Sequence, residues 1–118
     1  MDSKTEQLLK RTKDFAVRVV KLFRSLSRSP EGYVLGKQLL RSGTSVAANY
    51  RAACRARSRT EFIARIGIVA EEADESALWI ELLSDAGVTR KELLNALLTE
   101  ARELTAIFTA SRETAKQR

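Results

Sequence analysis

LLRSGTSVAANYRAACRARS, residues 39–58, separates its apolar, small and basic residues onto different sides of one helix. Alternating steps of four and three residues keep one seam of a helix facing a partner helix. The seam through this stretch consists of Leu35, Leu39, Ser42, Val46, Asn49, Ala53 and Ala56. A polar side chain in a seam costs stability unless it is hydrogen-bonded, and it can fix register or oligomeric state. We therefore expect Ser42 and Asn49 to be bonded between helices; alternatively, they lie beside the core and bond backbone or water.

Two further faces of the same helix carry different residues. One is lined by small or apolar side chains and would let another backbone approach closely: Leu40, Gly43, Ala47, Tyr50 and Cys54. The other is a basic edge formed by Lys37, Arg41, Thr44, Ala48, Arg51 and Arg55. A helix in a lone monomer needs only one buried face, so we predict self-association. The residues assigned to assembly or internal structure are Ser42, Gly43, Ser45, Asn49, Glu71, Glu75 and Trp79.

Composition favours one all-α domain over the whole chain, residues 1–118. Hydrophobic residues make up 44% of the sequence, which excludes a disordered chain, and one Pro and five Gly indicate helix. Charge is uneven, because residues 1–28 carry eight basic and three acidic side chains whereas residues 58–87 carry two and seven. A basic first half and an acidic third helix can attract each other within a chain or between chains.

Start and stop signals divide the chain into helices at about 4–27, 30–57, 59–86 and 90–112. Ser3, Ser29, Ser58 and Thr89 are the predicted N-caps, with Pro30 in the first position of the second helix. Gly87 suits the left-handed conformation that ends the third helix. Apolar content fades after residue 108, so residues 111–118 are expected to fray. Short connections predict an antiparallel, up-and-down four-helix bundle.

This pattern resembles the S23, or 23S rRNA intervening-sequence, proteins, a family of small bacterial four-helix bundles. The matching positions are Gln38, Leu39, Arg41, Ser42, Ser45, Val46, Asn49, Phe62, Ile63 and the helix over 71–80. The family's acidic residue shortly after the asparagine is replaced by Ala52. The resemblance implies a left-handed bundle that assembles as a homopentamer and has no established enzymatic activity. The related accessory variability determinant proteins of diversity-generating retroelements bind nucleic acid and a reverse transcriptase through a basic surface.

Enzymatic chemistry has little support in the sequence. The chain contains no His, which excludes His ligands and a His general base, and we expect no metal and no cofactor. The alternative is a bundle enzyme such as a nucleotide-dependent transferase resembling cobalamin adenosyltransferases, but residues 1–14 lack the Gly of a phosphate loop. No signal peptide or apolar stretch of membrane-spanning length occurs, so we expect a cytoplasmic protein with no membrane partner.

Basic edges on the first two helices suggest RNA or DNA as a partner beside the homo-oligomer itself. The candidate nucleic-acid-binding residues are Lys10, Lys13, Lys21, Arg24, Arg28, Arg41, Arg51 and Arg55. Contacts of this kind with phosphates give weak, sequence-tolerant binding that falls with salt. Few aromatic residues lie between the charges, so base stacking is not expected. Alternatively, Arg41 and Arg51 pair with acids of the third helix and the other cations are solvated.

Overall fold

Four helices account for most of the chain in the computed structural model, which describes residues 2–26 and 28–118. They are α1 (Ser3–Ser25), α2 (Pro30–Cys54), α3 (Arg59–Asp85) and α4 (Lys91–Lys116). Each helix packs along the next one in the chain, and α1 also contacts α4, which is the smallest of the four packed helix pairs. Arg41 of α2 contacts Glu72 of α3, and Asn49, further along α2, contacts Arg65, which comes earlier in α3. The two helices therefore run in opposite directions. The predicted antiparallel four-helix bundle is therefore confirmed.

Most helix caps follow the predicted chemistry. The Ser29 hydroxyl accepts a hydrogen bond from the Gly32 N–H at 3.1 Å, and the Ser58 hydroxyl accepts one from the Glu61 N–H at 3.1 Å. Gly87 has a φ of 70°, as expected for a helix C-terminus. The first cap differs, because the Asp2 carboxylate accepts from the Thr5 N–H at 2.7 Å. An aspartate is as good an N-cap as the predicted serine.

Both ends of α4 differ from the prediction. It begins at Lys91, and its N-cap, Arg90, makes no side-chain capping bond, so Thr89 is not the cap. It continues to Lys116, where we expected fraying. The reason is a contact from α3: the Arg59 guanidinium donates two hydrogen bonds, at 2.9 and 2.6 Å, to the Ala115 carbonyl. This contact satisfies one of the carbonyls left free at a helix C-terminus.

The core lies between all four helices and is built from one stripe of each. Phe15 of α1 and Phe108 of α4 are fully buried, and so are Leu39 of α2 and Ile66 of α3. Burial of one such side chain contributes about 1.5–3 kcal/mol. The other fully buried large apolar residues are Val19, Val46, Val69, Ile80, Leu83, Leu94 and Leu104.

The small-residue stripe of α2 is used inside the chain. A Cβ atom added at Gly43 would lie 2.8 Å from a Val19 methyl group of α1, so only glycine allows this approach. Gly67 of α3 similarly makes room for a side chain of α4. A Cβ atom added at Gly67 would lie 3.3 Å from the Arg112 side chain. At Gly43 the stripe is therefore an internal packing surface, and this position gives no reason to expect self-association.

Candidate nucleic-acid interface

Arg41 is turned away from the other predicted cations. Its guanidinium donates from Nη1 to Glu72 at 3.0 Å and from Nη2 to Glu75 at 3.2 Å, both on α3. Partial burial raises the pKa of Glu72, Arg41 opposes that shift, and Glu75 adds to it. Arg41 therefore serves the α2–α3 contact, as the alternative interpretation held for this residue. Glu71 is exposed and forms no ion pair with any residue that the structure describes.

A basic groove runs between α1 and α2. It has a volume of roughly 570 Å³ and a floor that includes Leu9, Ala47 and Ala48. Its three cations are Lys13 on α1, Arg51 on α2 and Arg55 at the C-cap of α2. None of them forms an ion pair within residues 2–26 and 28–118. Cations of the two basic edges therefore lie side by side at this groove, and Arg51 does not pair with the acids of α3.

The remaining predicted cations lie on the outer side of α1 and just beyond it. Lys10 is paired with Asp14 at 2.7 Å, one turn along the same exposed surface. Lys21, Arg24 and Arg28 are exposed, and none has an acidic partner in the described part of the chain. The structure therefore brings the eight candidates into three separate groups: one paired arginine, one groove and one outer edge.

An exposed aromatic residue lies beside the outer edge, and sequence reasoning did not assign it. The Tyr33 ring is 55% exposed and contacts the Phe23 ring, with 6.4 Å between centroids. The Lys37 ammonium lies 5.3 Å from the centre of the Tyr33 ring. A depression of roughly 430 Å³ beside them is lined by Phe23, Arg24, Leu26, Arg28, Gly32 and Tyr33. The four-residue spacing of Tyr33 and Lys37 on one helix was the available signal.

The polar seam residues join α2 to α3. Ser42 and Ser76 are fully buried and share a hydrogen bond of 2.8 Å. Asn49 donates to the Ser45 hydroxyl at 2.8 Å and accepts from Arg65 of α3 at 3.2 Å. Asn49 is half-buried, and its partner across the helices is Arg65. These residues hold the register of the α2–α3 pair.

The outer face of α3 combines apolar and acidic side chains. Ile68, Leu78 and Leu82 are 37%, 47% and 37% exposed, and Glu71 and Glu75 lie between them on the helix surface. Positions separated by three and four residues form one continuous stripe on a helix. This stripe faces away from the bundle core and is the largest run of exposed apolar residues on α3.

Trp79 lies at the edge of the core, one turn after Glu75 and Ser76. Its side chain is half-buried and packs against the hydrophobic core cluster. The indole N–H is buried and has no hydrogen-bond partner among the described residues. Because its one-turn neighbours contact α2, Trp79 belongs to the α2 side of α3.

Reactive or metal-binding groups are scarce. Within residues 2–26 and 28–118, no three acidic, cysteine or histidine residues are grouped as a metal site requires. Burial raises the pKa of the Cys54 thiol, which disfavours the reactive thiolate. None of the helices in the described part of the chain offers an apolar run that could cross a lipid bilayer.

Comparison with known proteins places the chain in a family. No curated protein matches the sequence. A crystal structure at 1.70 Å of a protein of unknown function from the S23 ribosomal protein family of Bacteroides thetaiotaomicron VPI-5482 is similar, with 33% identity and a TM-score of 0.85. The similarity covers 93% of this chain and 98% of that chain. The sequence profile for the 23S rRNA-intervening sequence protein matches residues 4–110. The chain therefore belongs to the 23S rRNA-intervening sequence protein family.

Proposed function

We propose that this protein is a non-enzymatic, homo-oligomeric bundle that binds the phosphate backbone of RNA or DNA. The observation that carries the proposal is the set of unpaired cations on α1 and the adjoining edge of α2. Lys13, Arg51 and Arg55 border a groove, and Lys21, Arg24 and Arg28 form a second basic group on the outer side of α1 and just beyond it. Arg41, by contrast, is neutralised by two carboxylates of α3.

Unpaired surface cations bind phosphates because complex formation releases the counterions condensed on the nucleic acid. A paired arginine contributes less, since its carboxylate partner must first be displaced. Contacts to phosphate position a protein on nucleic acid without reading its sequence. We therefore expect binding that tolerates many sequences and weakens steeply with salt.

Charge reversal on the outer edge tests the proposal. The variant Lys21→Glu/Arg24→Glu/Arg28→Glu should lose most of its affinity for a short RNA at low salt. The matched control, Arg102→Glu/Lys116→Glu/Arg118→Glu, lowers the net charge equally on α4 and after it. If both triple variants bind alike, the outer edge is the wrong surface. The fold of each variant is checked by circular dichroism, and all six positions are exposed.

Self-association is the second part of the proposal, and the outer face of α3 supports it. Ile68, Leu78 and Leu82 leave an apolar stripe without a partner in the chain. Contact of this stripe with a different face of a second copy forms a ring if its rotation closes. Leu78 occupies the centre of the stripe and is the position to alter.

A further inference from the structure

We infer that the end of the bundle where α1 passes into α2 is a base-stacking site, so that the ligand class is single-stranded nucleic acid. This inference rests on the proposed binding of nucleic acid and adds the kind of strand that is bound. It centres on Tyr33, with Phe23 behind it and Arg24, Arg28 and Lys37 around it. It departs from the expectation, drawn from the few aromatic residues between the charges in the sequence, that bases do not stack on this protein.

Tyr33 is placed as a stacking platform and contributes little to the core. It lies in the first turn of α2, which Pro30 begins, and 55% of its surface is exposed. The Phe23 ring contacts it at 6.4 Å with planes tilted by 45°, which restrains the tyrosine ring without covering it. Other aromatic residues, Phe15 and Phe108, are fully buried in the core. An exposed, restrained ring loses little conformational entropy when a base stacks on it.

The cations around the ring suit the sugar–phosphate backbone that accompanies a stacked base. Arg24 and Arg28 line the depression beside Tyr33, and both are exposed. Lys37 lies 5.3 Å from the ring centre, in an exposed and therefore weak cation–π contact. That contact is weak enough for the flexible ammonium to move to a phosphate while a base takes its place. Proteins that bind single strands combine aromatic platforms with cations in this way.

Glu31 is the acidic side chain nearest in sequence, and it does not neutralise the site. It is two positions before Tyr33, and residues two apart on a helix do not face each other. It forms no ion pair with Arg24, Arg28 or Lys37 in the part of the chain that the structure describes. The aromatic ring therefore lies in a cationic surrounding.

The geometry selects unpaired bases. A base inside a duplex is covered on both faces by its neighbours, so an aromatic side chain can stack only on a base that is unpaired or at an end. Duplex phosphates can still contact Arg24, Arg28 and the groove cations, but they gain nothing from Tyr33. Removing the tyrosine ring should therefore weaken single-strand binding and leave duplex binding unchanged.

Fluorescence anisotropy with the full chain separates these outcomes. The probes are a labelled single-stranded RNA and the duplex of the same sequence, at low salt. Tyr33→Ala should weaken single-strand binding by about 5- to 150-fold, as expected for one lost base stack, and change duplex binding less than about twofold. Tyr33→Phe keeps the ring and should retain the wild-type affinity. Because Tyr33 is exposed, both variants should keep the helical content of the parent.

A fluorescent base analogue in the single strand provides a direct readout of stacking. The wild type and Tyr33→Phe should quench it on binding, and Tyr33→Ala should not. Equal losses on single strand and duplex, or an unchanged Tyr33→Ala affinity, would overturn the stacking site and leave phosphate binding intact. If the wild type binds neither probe at low salt, the proposed function itself is wrong, and the stacking site is rejected with it.

Discussion

Ser42 of α2 and Ser76 of α3 share a hydrogen bond of 2.8 Å in the interior of the bundle, where both side chains are fully buried. The Ser76 hydroxyl also donates to the Glu72 carbonyl at 2.8 Å, so Ser42 donates to Ser76 in the fully satisfied arrangement. Arg41, Asn49 and their partners on α3 extend this polar seam on either side. The α2–α3 pair therefore has a register that apolar packing alone would not specify.

Replacing the two serines should show that they act as a pair. We expect Ser42→Ala and Ser76→Ala each to lower the free energy of unfolding by about 0.5–1.5 kcal/mol, the net value of one hydrogen bond. The double variant should cost less than the sum, because the second substitution removes a group already unpaired. Urea unfolding of the four proteins measures the coupling. Strictly additive losses would mean that the bond contributes nothing specific.

The close contact of Gly43 with Val19 predicts that adding a single methyl group at position 43 lowers the stability of the fold. Gly43→Ala should destabilise the fold by about 1–3 kcal/mol, because its Cβ would meet the Val19 methyl group at 2.8 Å. Gly67→Ala is the matched control, since there the new atom meets a flexible Arg112 side chain at 3.3 Å. Thermal unfolding should give Gly67→Ala a higher melting temperature than Gly43→Ala. Adding Val19→Ala to Gly43→Ala should recover part of the lost stability. The reverse ranking would disprove tight α1–α2 packing.

Local sequence signals predicted the elements of the fold well. The three-and-four spacing of apolar residues identified the buried stripes, and the serines before α2 and α3 identified their caps. These signals act over one or two turns, so they are visible in a linear sequence. The C-terminal end of α4 was not predicted, because it depends on a contact between Arg59 and Ala115, which are distant in sequence.

The candidate site was harder to predict than the fold. Helical spacing placed Arg41 and Arg51 on one basic edge, but Arg41 reaches acids of α3 whereas Arg51 borders the groove. The rotation of two helices against each other decides which cation forms an ion pair with an acid. The spacing of residues within one helix does not determine that rotation. Tyr33 was missed for the same reason, because its nearest cations come from both α1 and α2.

Stability at alkaline pH should depend on Tyr50. Burial, the main cause, raises the pKa of its phenol, which packs on Phe108 with 5.0 Å between ring centres. A raised pKa contributes stability that is fully present below the unfolded value of 10.0 and is lost as pH rises toward the folded value. Tyr50→Phe should therefore lose less stability than the wild type above about pH 10. Urea unfolding across this pH range measures the difference.

Tyr33→Phe is the control for the alkaline experiment, because Tyr33 is exposed. Its stability profile should follow that of the wild type. An alkaline loss that is identical in the wild type and Tyr50→Phe would mean that the buried phenol is not responsible. Cys54 contributes in the same direction, since burial also raises the pKa of its thiol, and Cys54→Ala separates the two effects.

Assembly should depend on the outer face of α3. We expect light scattering of the wild type to give several chains per particle, about five as the family resemblance implies. Leu78→Glu should dissociate the particle, because it places a charge in the centre of the apolar stripe. Leu93→Glu is the control, since Leu93 of α4 is 54% exposed and lies outside the stripe. A wild-type monomer at micromolar concentration would contradict self-association.

Salt dependence tests the central claim, which is that the basic α1–α2 side binds nucleic-acid phosphates. A labelled single-stranded RNA is titrated with the wild type at about 50 and 200 mM salt. About four phosphate contacts on a single strand predict a loss of affinity of roughly 50-fold between these conditions. No binding at the lower salt, or an affinity that does not change with salt, would contradict the account.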